Sequence, residues 1–268
     1  MSAQIVPGAE RKLKNRVSIQ MSISNSLTMA YRTLLLIRRT PQQLFDVTIQ
    51  PILFTLMFVY LFGGAISGSV SGYLPIIIPG VLAQTALTAS MATGVQLRED
   101  MDKGVFYRFK SMPIARMATL TGPLVADIVR YSIATGLTFV MGYLLGFRWA
   151  SAEGALLAGL LAVFAAWCVS WVFALLGVLM KTAQAVQGIS AAILFPLSFL
   201  SGAFVPTKTL PWWLQDFVNV NPLTYVVSAV RQLFQGTIGT DFWLSLIGSI
   251  VIVLLFAPLT LRAYLRKA

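Results

Sequence analysis

Six apolar runs, each long enough to cross a lipid bilayer, constrain this chain more than any other feature. A membrane-spanning helix needs about 20 mainly apolar residues. The sequence supplies such runs at residues 47–66, 74–97, 119–147, 155–180, 183–205 and 242–261. Only 11% of the residues are charged, against about 25% in a typical soluble domain. We therefore predict an all-α integral membrane protein with six transmembrane helices, in a single domain over residues 1–268.

The basic residues are distributed unevenly around these spans. Arg148, Lys208 and Arg231 lie on one side, Arg130 lies inside a span, and the other sixteen of the twenty Lys and Arg residues lie on the opposite side. The positive-inside rule then places both termini in the cytoplasm of a multi-pass protein of the cell (plasma) inner membrane. These cations flank apolar segments rather than forming a basic face, so they indicate topology and not nucleic-acid binding.

The residue types needed for enzymatic chemistry are scarce. The chain has no histidine, and its one cysteine, Cys168, lies inside an apolar run. No G-x-x-x-x-G-K-[ST] loop occurs, so the chain lacks the usual cradle for ATP phosphates. We therefore expect no catalytic residue, no metal site and no cofactor in this chain.

Two charged residues, Asp127 and Arg130, lie in the third predicted span, three apart and so on one helix face. We interpret them as a structural pair, with Arg130 reaching towards the interface; a substrate or proton site is the alternative. The spans otherwise offer no ionisable group to bind a coupling ion, which counts against a proton- or sodium-driven transporter.

The segment before the first span, residues 1–46, carries a helical apolar pattern. Apolar residues recur at helical spacing at Ile19, Ile23, Leu27, Ala30, Leu34 and Ile37. The pattern predicts an amphipathic helix at the cytoplasmic surface. A solvated arm is the alternative.

The connection at residues 98–118 is the next segment that differs from a simple turn. Gly104 and Pro113 bracket about two helical turns that carry Phe106 and Phe109 beside the cations Arg108 and Lys110. Exposed aromatics beside a membrane favour docking into a groove on a cytoplasmic partner. A basic loop that serves only topology is the alternative.

The outer stretch at 203–236 is apolar but repeatedly broken by proline. We predict two short helices, at about 211–218 and 223–234, which enter the outer leaflet without crossing it. An ordinary outer loop is the alternative. The residues that define this outer cap are Gly202, Pro206, Pro211, Trp213, Asn221, Pro222 and Arg231.

Polar and aromatic side chains at four-residue spacing on the second and fifth spans suggest a substrate pathway. The candidate lining residues are Gln84, Thr88, Met91, Gln187, Phe195 and Phe199. Hydrogen bonding between helices is the alternative role for such polar residues.

Two motifs make the chain resemble the permeases of type-2 ABC exporters, most closely the daunorubicin-resistance-type drug permeases. The first is the inner set Asp100, Gly104, Arg108, Ser111, Pro113 and Arg116; the second is Phe199-Leu200-Ser201-Gly202-Ala203-Phe204-Val205-Pro206, followed by Leu210-Pro211-x-Trp213-Leu214, Asn221-Pro222-Leu223-Thr224 and Arg231. The resemblance implies that residues 104–116 form a coupling helix on an ABC ATPase. It also implies two such ATPase subunits, carrying ATP and Mg, and a second permease, identical or not.

The leading interpretation is an exporter of an amphipathic drug or lipid-like compound, because the spans offer apolar surface with few polar groups. Export of a lipid-linked polysaccharide is the alternative within the family. A channel or secondary transporter, and a scaffold or immunity protein, are the alternatives from other classes.

Overall fold

The computed structural model describes residues 19–39, 41–103, 117–205, 207 and 210–267. These residues form helices and turns, which confirms the predicted all-α class. The helices in the described ranges are α1 (Ile19–Arg39), α2 (Pro41–Ser67), α3 (Val70–Asp102), α4 (Ala118–Leu144), α5 (Ala152–Leu179), α6 (Ala183–Phe199), α7 (Trp212–Val220), α8 (Pro222–Phe234) and α9 (Thr240–Lys267).

Three of the long helices begin at a hydroxyl cap. The side chains of Ser69, Ser151 and Thr182 each accept a hydrogen bond from the backbone N–H three residues later, at the starts of α3, α5 and α6. Each bond satisfies a donor that the first helical turn leaves unpaired. The turns that precede α3, α5 and α6 therefore each contain a residue that marks the start of the following helix.

The helices run back and forth between two ends of a bundle. We name them the Gly202 end, with residues 68–69, 145–151, 200–205 and 235–239, and the Lys103 end, with residues 99–103, 117–119, 180–182 and 264–267. At the first, Tyr73 donates to the Phe204 carbonyl at 2.8 Å. At the second, Arg98 donates to the Met180 carbonyl at 3.0 Å. α6 therefore begins at the Lys103 end and finishes at the Gly202 end.

α3 is the central helix, with neighbours on most sides. It packs against α2, α4, α5, α6 and α8, whereas α9 packs mainly on α5 and α8 and leaves most of its apolar surface exposed. The large buried cluster joins α2, α3, α4, α5 and α8 near the Gly202 end. This distribution suits a bundle whose outer helices face lipid.

Within the described part of the chain, five helices are long and apolar enough to cross a membrane: α2 over Thr48–Ser67, and α3, α4, α5 and α9. α6 has 17 residues and falls below that length. It ends six residues before the predicted limit at Val205, because the chain turns at Gly202, whose φ of 69° is a left-handed conformation that side chains rarely adopt.

The helix predicted before the first span is present as α1, but its buried face is only partly the predicted one. Met29 and Ala30 are buried where α1 packs against α4, and Ser26 bonds the Thr121 hydroxyl at 2.9 Å. Leu27, which belongs to the predicted apolar stripe, is 58% exposed. The difference arises because α4 covers one side of α1. Ile19, Ile23 and Ile37 also belong to α1, but the structure does not describe their side chains.

Candidate functional site

The predicted pathway residues on α3 are largely covered by neighbouring helices. Gln84 is 7% exposed and donates from Nε2 to Thr88 Oγ1 at 3.4 Å. Thr88 and Met91 are half-buried. Met91 packs against a buried cluster drawn from α3, α5, α6 and α8. This face of α3 therefore has a packing role in the single subunit.

The predicted residues on α6 lie on the other side of their helix. α6 packs against α3, and its buried residues are Val186, Ser190, Leu194 and Ser198. Gln187, Phe195 and Phe199 are exposed instead. The two spans are neighbours, but their predicted lining residues do not face one another across a common channel within one subunit.

An aromatic row joins α2 to α6 near the Gly202 end. It runs through Phe54, Phe58, Phe62, Phe204, Phe199 and Phe195. The ring centroids of Phe58 and Phe204 are 4.5 Å apart, and those of Phe204 and Phe199 are 5.0 Å apart. The four-residue spacing on α2 was a signal in the sequence, but the link through Phe204 depends on the tertiary fold.

Two short helices occur in the predicted outer stretch, as α7 and α8. α7 begins one residue and ends two residues after the predicted bounds, and α8 begins one residue before its predicted start. Pro211 is the residue before α7, and Pro222 is the first residue of α8. Trp212 and Trp213 at the start of α7 are 77% and 58% exposed. Pro206 lies outside the described residues.

Asn221 fixes the corner between α7 and α8. Its Nδ2 donates to the carbonyls of Leu197 and Leu200 at 2.6 and 2.9 Å, at the end of α6. Its Oδ1 accepts from the Leu223 backbone N–H at 3.0 Å and so caps α8. One buried side chain therefore joins three helices.

Arg231 holds the opposite end of α8. Its Nη2 donates to the carbonyls of Gly202 and Ile76 at 3.2 and 3.3 Å. A side chain at Gly80 would meet the Ala203 carbonyl at 2.0 Å, so the segment after α6 lies directly on the α3 backbone. Of the cap residues named from the sequence, Asn221 and Arg231 therefore bind the end of α6 and the segment that follows it at Gly202.

Asp127 and Arg130 form a buried ion pair with an oxygen to nitrogen distance of 2.7 Å. Thr93 of α3 donates to Asp127 and bonds the Tyr131 hydroxyl at 2.9 Å. Arg130 also donates to the Ala89 carbonyl at 3.3 Å. It is 5% exposed, so it turns into the α3–α4 contact rather than towards an interface, contrary to the sequence expectation.

The predicted coupling segment falls mainly outside the described residues. Asp100 lies in the last turn of α3, is half-buried and accepts from Gln96 Nε2 at 3.3 Å. The other predicted coupling residues are Gly104, Phe106, Arg108, Phe109, Ser111, Pro113 and Arg116, and all lie outside the described residues. The flanking helix ends, at Asp102 and Ala118, are described.

Comparison with known proteins identifies relatives of this chain. The chain is 41% identical over 253 residues to the daunorubicin resistance ABC transporter permease protein DrrB1 of Streptomyces coeruleorubidus, covering 92% of this chain and 88% of that protein. It is 26% identical to the doxorubicin resistance ABC transporter permease protein DrrB of Mycobacterium tuberculosis, covering 66% and 62% of the two chains. Residues 25–234 match the family model described as ABC-2 type transporter. The chain therefore belongs to the ABC-2 type transporter family.

Proposed function

We propose that this chain is the permease subunit of an ATP-driven exporter that moves an amphipathic drug or lipid-like compound out of the cytoplasm or the inner leaflet. The similarity to a daunorubicin resistance permease over 92% of the chain carries the proposal. The energy comes from separate ABC ATPase subunits, since the sequence contains no P-loop. ATP and Mg are bound by those partners.

The chain crosses the membrane six times. Five helices have the required length, and α6 adds about 25 Å at 1.5 Å per residue, close to the roughly 30 Å of a bilayer core. α6 also runs from one end of the bundle to the other. The residue Met180 before it bonds Arg98 at the Lys103 end, and Phe204 after it bonds Tyr73 at the Gly202 end. With six crossings, the Lys103 end faces the cytoplasm together with both termini, and the Gly202 end faces outward.

α7 and α8 form a re-entrant cap in the outer half of the membrane. Leu223, at the start of α8, belongs to a buried cluster with Leu87, whereas Arg231 bonds the Ile76 carbonyl eleven residues earlier on α3. Residue 220, the end of α7, therefore lies deeper in the bundle than the end of α8. The exposed Trp212 and Trp213 anchor the cap at headgroup depth.

The substrate passes along the interface between this chain and a second permease, an identical copy or a different chain. The exposed α6 residues Gln187, Phe195 and Phe199 line this route, and the aromatic row extends it onto α2. Gln84, Thr88 and Met91 belong to α3, which packs against α6, and we assign them to the same route. An apolar aromatic lining suits a hydrophobic planar compound.

The coupling segment, residues 104–116 with Asp100 before it, contacts one of two ABC ATPase subunits. Its connection to α3 and α4 delivers the movement of the ATPase to the central helix α3 and to its neighbour α4. The partners are then two ATPases, a second permease and membrane lipid.

The test is drug resistance in cells that express this chain with its partner ATPase. We expect survival at daunorubicin concentrations that kill the parent cells, and loss of that survival when the ATPase carries a substitution of its P-loop lysine. Equal survival with the inactive ATPase, or survival that needs only a proton gradient, would contradict the proposed function.

A further inference from the structure

The last turn of α9 contacts the helix that directly follows the coupling segment. The Tyr264 hydroxyl bonds Thr119 Oγ1 at 2.7 Å, and Thr119 is three residues after Arg116, the final residue of that segment. Tyr264 is 2% exposed. Its ring belongs to a small buried cluster with Leu97, Leu120, Leu124, Trp171, Ala174 and Val178. Residues of α3, α4, α5 and α9 therefore meet around one tyrosine.

The carboxyl end of α5 is held by two cations from other helices. Lys267 of α9 donates from Nζ to the carbonyls of Val178 and Leu179, at 2.5 and 3.3 Å. Arg98 of α3 donates to the Met180 carbonyl at 3.0 Å. The last carbonyls of a helix have no partner within it and carry partial negative charge, so a cation there satisfies both needs.

The backbones of α3 and α5 are in contact about one helical turn further from the Lys103 end than these hydrogen bonds. A side chain at Gly177 would lie 2.4 Å from the Gly94 carbonyl, and one at Gly94 would lie 2.2 Å from the Phe173 carbonyl. Helices in such close contact have little freedom to separate or slide locally. We therefore expect the carboxyl ends of α5 and α3 to move together.

We propose that Tyr264 and Lys267 are positioning residues for energy coupling, which fasten the start of α4, through α9, to the carboxyl end of α5, where Arg98 of α3 also binds. This inference rests on the proposed function. A movement that enters through residues 104–116 reaches the end of α3 and the start of α4. Tyr264 passes it from α4 to α9, and Lys267 with Arg98 passes it to α5. The last turn of α9 therefore helps to couple ATP hydrolysis to transport.

The test compares variants of the complete complex with its ATPase in proteoliposomes, measuring daunorubicin transported per ATP hydrolysed. Tyr264→Phe removes one hydroxyl and keeps the ring, and Lys267→Met removes the cation and keeps much of the chain length. We expect the double variant to assemble and to hydrolyse ATP at the normal basal rate. Its transport per ATP should fall about fivefold, the lower range of typical coupling between sites.

Matched variants separate coupling from general damage. Tyr225→Phe removes a hydroxyl that bonds the Asn219 carbonyl at 2.7 Å within the outer cap, far from the Lys103 end, and Arg266→Met removes the exposed cation next to Lys267; both variants should keep the normal ratio of transport to ATP hydrolysis. The single variant Lys267→Arg, which keeps a cationic donor, should also keep the normal ratio of transport to ATP hydrolysis.

An unchanged ratio in the double variant, or an equal fall in the controls, would overturn the inference. If the double variant does not assemble, an unchanged ratio in both single variants has the same meaning, and a fall in either supports the inference. A normal complex that shows no ATP-dependent transport would overturn the proposed function, and this inference with it.

Discussion

Replacing Asp127 by Asn tests whether the buried ion pair is structural. The side chain keeps its size and an oxygen that accepts from Thr93, but its negative charge is lost. Arg130 then remains 5% exposed, without a carboxylate, and with only long bonds of 3.3 and 3.4 Å to Ala89 and Thr93. Removing one partner of a buried pair costs about 3–5 kcal/mol, because the remaining charge stays desolvated.

The assay is reversible unfolding of the purified permease in mild detergent, followed by tryptophan fluorescence. We expect Asp127→Asn and Arg130→Met each to lower the free energy of unfolding by about 3–5 kcal/mol. The double variant should lose much less than the sum, because neither charge is left alone. Glu99→Gln, which breaks the exposed pair with Lys103, should cost about 0–1 kcal/mol.

Additive losses would refute the structural reasoning. So would an Asp127→Asn permease of normal stability that no longer transports its substrate, since that combination identifies a substrate or proton site.

Three further predictions concern the outer cap, the coupling segment and the topology. Asn221→Ala removes three hydrogen bonds of a buried side chain, one of which caps α8, so the free energy of unfolding should fall by about 2–4 kcal/mol. Asn219→Ala, at an exposed position, should change it little, and equal effects of the two substitutions would contradict the role of Asn221 at this corner. Phe109→Asp should abolish substrate-stimulated ATP hydrolysis in a complex that stays assembled, and a full rate would show that the segment does not dock. A tag after Lys208 should be accessible from outside intact cells and one after Lys267 should not; both on one side would contradict six crossings.

Hydrophobicity and local turn chemistry were sufficient to predict the helical class and most helix positions. The apolar runs correspond to α2 to α6 and α9, and the prolines at 211 and 222 correctly predicted where α7 and α8 begin, to within one residue. The end of α6 was missed, since it depends on a left-handed turn at Gly202 inside an apolar stretch. Apolar character alone gives no signal there.

Contacts between segments that lie far apart in the sequence could not be predicted from the spacing of residues within one helix. The sequence placed Arg130 on the same helix face as Asp127, but only the position of α3 shows that Thr93 and the Ala89 carbonyl receive it inside the bundle. The link from Phe58 through Phe204 to Phe199 likewise needs three segments to converge. The predicted face of α1 failed in part for the same reason, because α4 covers Met29 and leaves Leu27 exposed.

The most direct test of the central claim is ATP-driven drug uptake into inside-out membrane vesicles that contain this chain and its partner ATPase. Uptake of daunorubicin should require both subunits and hydrolysable ATP, and should persist when the proton gradient is abolished. Uptake that continues without the ATPase, or that disappears with the proton gradient while ATP is present, would contradict the account.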